Sequence, residues 1–152
     1  MTIDLSELTA LRETVRRFGA AVKDEVAMAG AAAGARVLYI FARTTAPISD
    51  AVHTFYGRDS KRTGVTYTFT PGNLQRSVYR VFVPEKSSEN FKFYKISWNH
   101  KKAPYGIMVE LGTSHSAAHS FIGAALSEAP EAFRYAKIAM GEQLDEIKGR
   151  RL

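Results

Sequence analysis

An α+β fold is what the apolar pattern of this 152-residue chain implies: a long N-terminal helix and a C-terminal helix packed on a small antiparallel sheet, with a β-hairpin insertion. Apolar residues step by three or four from Leu5 to Val26, and a similar stepping returns from Phe121 to Ile147. Between them lie short runs that alternate apolar and polar side chains. Helical periodicity at both ends and strand periodicity in the middle segregate the elements as an α+β domain does. Residues 1–152 are read as a single domain, a length that normally buries roughly 68–70% of the unfolded surface.

The first helix carries Leu5, Leu8, Leu11, Val15, Phe18, Val22 and Val26 on one stripe. Asp4 can cap its first turn while Glu7 reaches back to the cap amide, so the helix starts near Leu5. The Ala-rich continuation contains Gly19, Gly30 and Gly34, each unfavourable by about 1 kcal/mol relative to Ala, and a break or kink is expected near one of them. Gly30 and Gly34 leave two side chains missing on one face, which suits either core packing or a subunit contact. Pro47 drives Ala46 out of the α region and ends the helix.

Residues 52–70 form the hairpin arm. Thr54-Phe-Tyr56 and Val65 to Thr70 flank the polar, basic stretch from Gly57 to Gly64, and Val65, Tyr67 and Phe69 alternate with Thr66, Thr68 and Thr70. A two-stranded arm is marginal in water, so its aromatic face must lie on this domain or on a neighbour. A short turn or helix, Leu74 to Ser77, leads into a strand, Val78 to Val83. After a polar turn the chain returns through Phe91 to Trp98, antiparallel to it, with Tyr94, Ile96 and Trp98 facing the first helix.

Pro104 suits the first position of a short helix, Tyr105 to Leu111, and Gly112 suits the place just past its end, with a short strand as the alternative. The last helix follows from Phe121 with Ser120 as cap and a restart at Pro130. Its expected stripe is Phe121, Ile122, Ala125, Phe133, Ala136, Met140, Leu144 and Ile147, and residues 148–152 are expected to fray.

Lys and Arg number 21 and Asp and Glu 15, a formal charge of +6 that makes nucleic acid or an acidic protein surface a fitting neighbour. The absence of cysteine excludes disulfides, thiolate metal sites and Cys nucleophiles. Acids stand at the N-terminus where a secretory leader needs positive charge, and Arg36 and Arg43 interrupt the most apolar stretch, Val26 to Ala46. Neither export nor a membrane partner is therefore expected.

Catalytic signatures such as a phosphate-binding Gly-x-x-x-x-Gly-Lys loop, a Gly-x-Ser-x-Gly elbow or His-Glu-x-x-His do not occur. Glu110, His115 and His119 would make a zinc site if their segment were helical, but Gly112 to His119 reads as a loop, which removes the spacing. No catalytic, cofactor-binding or metal residue is assigned. Lys101 and Lys102, in the basic turn from Asn99, could join Arg58, Lys61 and Arg62 in contacting DNA or an acidic partner. A basic DNA-associated protein is accordingly the second functional reading.

Three elements carry a resemblance: Pro71-Gly-Asn-Leu-Gln-Arg-Ser-Val78, Ala103-Pro-Tyr-Gly-Ile-Met-Val-Glu-Leu-Gly-Thr113 and Ser120-Phe-Ile-Gly-Ala-Ala-Leu126. In this order they resemble the Gly-x-Leu-x-x-Ser, Tyr-x-x-x-Val-Glu-x-Gly-Thr and Pro-Phe-x-x-Pro-Ala elements of the tail-completion or neck proteins, the head-tail joining family of long-tailed bacteriophages. Ser120 stands where the family usually has Pro, and Gly123-Ala124 where it has Arg-Pro. The resemblance covers about half the chain.

It implies a non-enzymatic structural subunit of the virion, assembled in the bacterial host cytoplasm. The subunit would form a closed ring, expected to be a homohexamer, at the head-proximal end of the tail or in the neck. Its partners would be copies of itself and the neighbouring tail terminator, tail tube and head-completion proteins, with DNA passing through the lumen. Ring contacts are expected at the arm, through Tyr56, Arg58, Lys61, Arg62, Tyr67 and Phe69, and at Glu110, which beside Gly112 and Thr113 can close a sharp turn by accepting backbone amides.

Overall fold

In the computed structural model, which describes residues 5–56 and 60–149, ten elements follow the α+β plan. They are α1 (Leu5–Thr45), β1 (His53–Tyr56), α2 (Ser60–Thr63), β2 (Thr66–Phe69), α3 (Asn73–Ser77), β3 (Val78–Phe82), β4 (Tyr94–Trp98), α4 (Gly106–Leu111), α5 (Phe121–Ala124) and α6 (Ala129–Gly149). Strands β1 and β2 make one antiparallel two-stranded sheet, and β3 and β4 make a second. The Asp4–Glu7 cap and Arg58 lie outside the described residues.

Helix α1 runs 41 residues without the break expected at its glycines. It stops where Ala46-Pro47 requires, with the Ala46 N–H still bonded to the Ala42 carbonyl at 3.1 Å. The segment Val15–Thr45 is long and apolar enough, by those criteria alone, to cross a membrane, so Arg36 and Arg43 interrupt it less than expected.

The chain folds as two compact units. The first gathers residues 1–37, 81–95 and 130–152, and the second residues 38–80 and 96–129. In the first unit a Cβ on Gly30 would meet the Met140 side chain at 2.5 Å, and one on Gly34 would meet the Ala132 carbonyl at 3.2 Å. The glycine pair thus serves core packing between α1 and α6. Close approach at Ala132 and Ala136 centres the buried stripe of α6 on those small residues, and Ile147 joins it. Phe133, expected on the same stripe, lies 74% exposed because it is one helical step, 100°, off that line. Of the segment expected to fray, Lys148 and Gly149 belong to α6, and 150–152 lie outside the described residues. Tyr94 donates its hydroxyl to the Met28 sulfur at 3.6 Å, and the nearly buried Lys92 ammonium pairs with Asp24.

The second unit holds the core of Ala42, Ala46, Leu74, Val78, Trp98, Ala103, Phe121 and Ala125. Tyr39, Phe41, Ile96, Tyr105, Val109 and Ile122 pack against it. Trp98 thus shares this core with Ala42 at the end of α1, and Ile96 packs against it. The C-terminal helical run is divided into α5, a 3-10 turn (Ala125–Glu128) and α6, with Pro130 in the first turn of α6.

Candidate functional site

The three sequence elements that carry the resemblance converge in the second unit. Leu74 and Ser77 of α3, Val109 of α4 and Phe121 of α5 are all buried or half-buried there, and the Phe121 ring meets Trp98 edge-on at 5.6 Å. Asn73 ties the first element to the second, its side-chain amide donating to the Lys102 carbonyl at 2.7 Å and to the Tyr105 hydroxyl at 3.2 Å. Glu110 ties the second to the third. Its carboxylate accepts N–H bonds from Phe121 (2.8 Å), Ile122 (3.0 Å) and Gly123 (2.8 Å), and the Ser120 hydroxyl at 2.7 Å.

Glu110 thus accepts backbone amides, but those of α5 rather than of its own turn. Ser120, expected to cap α5, makes no side-chain cap bond. Its hydroxyl donates to the carboxylate that caps the helix in its place. The two opposing effects on this carboxyl are burial, which raises its pKa, and the bonds from Ile122, Ser120, Gly123 and Phe121, which together hold it below the usual glutamate value.

Gly112 follows α4 with φ of 76°, a left-handed value that suits glycine, and a Cβ there would lie 2.7 Å from the Ala118 amide nitrogen. Thr113 and Ser116 then bridge, and the His119 N–H returns to the Val109 carbonyl at 2.7 Å. Pro104 precedes Tyr105, the N-cap of α4, so it stands one place before the cap rather than inside the helix. His115 and His119 are exposed on non-helical backbone, and Glu110 is turned to α5. Among the described residues no cluster of three or more metal-ligating side chains forms.

The arm departs from its sequence reading twice: the stretch read as a polar turn contains the helical turn α2, and the aromatic side chains do not share one face. The register pairs His53 with Phe69, Phe55 with Tyr67 and Tyr56 with Thr66. Directly paired residues share a face and neighbours along a strand alternate. Tyr56 therefore lies on the threonine face, opposite Tyr67 and Phe69, and the three cannot bury together against one surface. Phe69 turns inward, its ring 4.8 Å from Tyr105 and edge-on to it, while Tyr67 remains about half exposed and Tyr56 is 68% exposed.

Lys61 and Arg62 are exposed on α2, and Lys101 and Lys102 are exposed in the turn after β4. The Asn99 side chain shapes that turn by accepting both lysine N–H groups, at 3.0 and 3.2 Å. The predicted basic patch is thus distributed over separate elements. Asn73, Tyr105 and Arg76 were not singled out by sequence reasoning. Asn73 reads locally as a turn residue, and nothing in the sequence alone shows that its amide reaches 32 positions along the chain to Tyr105. No family model matches the chain, and neither does any curated protein or any solved structure.

Proposed function

We propose that the chain is a structural virion subunit that forms a closed ring at the head-proximal end of a phage tail or in the neck, where it completes the tail and joins it to the head. The observation that carries this reading is the convergence just described. Residues of the three ordered elements, Asn73 with Tyr105 and Glu110 with Ser120 to Gly123, are bonded to one another. The resemblance is therefore carried by residues that build one interlocked unit, and their spacing has a physical reason.

A ring requires a heterologous interface, and apolar side chains left in solvent are its usual material. Tyr56, Tyr67, Ile107, Met108 and Leu111 are such side chains in the second unit, and Val15, Phe18, Phe91 and Phe133 in the first. Electron microscopy of the purified protein together with its neighbouring tail proteins tests the proposal. Closed rings of one diameter at the tail end are expected. Tails that assemble and join heads normally in its absence would overturn it.

The basic DNA-associated reading stands second. It rests on Arg58, which lies outside the described residues, on Lys61 and Arg62 of α2, and on Lys101 and Lys102 in the turn after β4. Affinity for duplex DNA that falls steeply between low and moderate salt would favour it.

A further inference from the structure

The second unit contains a cleft of about 340 Å³ walled chiefly by Pro47, Ile48, Phe69, Leu74, Tyr105 and Val109. Several polar groups on its wall are already engaged. Ser49 donates to the Ala51 carbonyl at 2.6 Å, Thr70 accepts from Arg76 at 2.9 Å, and Asn73 holds Lys102 and Tyr105. A cleft of this size and lining suits an aliphatic or aromatic side chain. His53 and Thr54 bring β1 into the wall, and β1 pairs with β2 alone among the described residues. Its second edge is open to an extended chain.

The surroundings are positive. The second unit contains eight Lys and Arg against four Asp and Glu, a net +4. Two of the four acids adjoin wall residues in sequence, Asp50 beside Ser49 and Glu110 beside Val109, and Glu110 is committed to the α5 amides. The Arg76 guanidinium lies against Gly72 of the wall, and the Lys102 carbonyl is bonded to Asn73 of the wall. Among the described residues, no carboxylate lies within salt-bridge distance of Arg76, Lys101 or Lys102.

We propose that this cleft docks an extended acidic peptide segment of a partner protein, with an apolar side chain in the cleft and carboxylates over Arg76, Lys101 and Lys102. Single-stranded nucleic acid would also bring negative charge. The aliphatic wall of Pro47, Ile48, Leu74 and Val109, and the Phe69 ring already met edge-on by Tyr105, favour a side chain over stacked bases. The inference uses the second unit alone and does not depend on ring formation.

The full-length protein can be titrated with a short fluorescent peptide alternating glutamate with leucine and phenylalanine, beside the same peptide with lysine for glutamate and a short oligothymidylate. Saturable binding of the glutamate peptide is expected, with amide shifts at His53, Thr54, Asn73 and Val109. Reversing both charges, Lys101→Glu with Lys102→Glu, should weaken it about tenfold or more, as expected for lost charge complementarity. Ile48→Glu, an exposed wall position, should abolish it while the circular dichroism spectrum is unchanged. Failure of the glutamate peptide to bind, equal binding of the lysine peptide, competition by the oligothymidylate at the same amides, or indifference to both variants would each overturn the proposal.

Discussion

Glu110 caps α5 by accepting the Phe121 N–H at 2.8 Å, from a position 11 residues earlier in the chain. A helix start has four N–H groups without intrahelical partners, and this carboxylate satisfies three of them while its charge suits the positive end of the helix dipole. Phe121 is thereby fixed with its ring fully buried beside Trp98.

Replacing Glu110 by Ala removes the acceptor of those bonds. The variant should lose about 1–2 kcal/mol of stability, the range for loss of a helix cap, measured by urea unfolding. Glu110→Gln should lose less, because an amide oxygen still accepts. Equal stability of the Ala variant and the parent would show that water replaces the carboxylate without loss.

The same carboxyl makes stability depend on pH in one direction. Its folded pKa lies below the ordinary glutamate value of about 4.3, so its stabilisation is complete above that value and disappears as pH falls through the lower, folded one. Thermal unfolding between pH 6 and pH 3 should therefore show a steeper loss for the parent than for Glu110→Gln. Parallel curves would remove Glu110 from the acid response.

Gly106 leaves room for the Trp98 indole. A Cβ at position 106 would stand 2.3 Å from the Trp98 Nε1, so Gly106→Ala must displace a buried ring. A loss of about 1–3 kcal/mol is expected, with a change in tryptophan fluorescence, as for other overpacked cores. Unchanged fluorescence and stability would mean that the ring moves freely.

In the first unit the Lys92 side chain is 6% exposed and its partner Asp24 46%. Asp24→Asn leaves the ammonium without its counter-charge and should destabilise by about 1–3 kcal/mol, less than for a fully buried pair because the carboxylate is half in water. Lys92→Met should be close to neutral. Denaturant midpoints compare the two, and a larger loss for Lys92→Met would contradict the assignment.

Local signals made much of this architecture legible. Ala46-Pro47 marks the end of α1, the period-two run marks β2, and Gly112 marks the end of α4, because each depends only on nearby backbone sterics. The misread features depend on partners remote in sequence. Ser120 has the composition of a cap, yet the cap is Glu110. Phe133 has the spacing of a core residue, yet the approach of α6 to Gly30 and Gly34 sets which stripe is buried. Tyr56 is aromatic like Tyr67, yet the strand register places it on the other face. The cleft could not be read at all, since Pro47, Asn73 and Tyr105 meet only in the folded unit.

Ring formation is the central claim, and the mass of the protein in solution tests it most directly. Light scattering across a range of concentrations should give a discrete multiple of the 16.8 kDa chain for the protein alone, or that multiple plus the partners' mass with the neighbouring tail proteins, six being the expected number. A single-chain mass under every one of those conditions would contradict it.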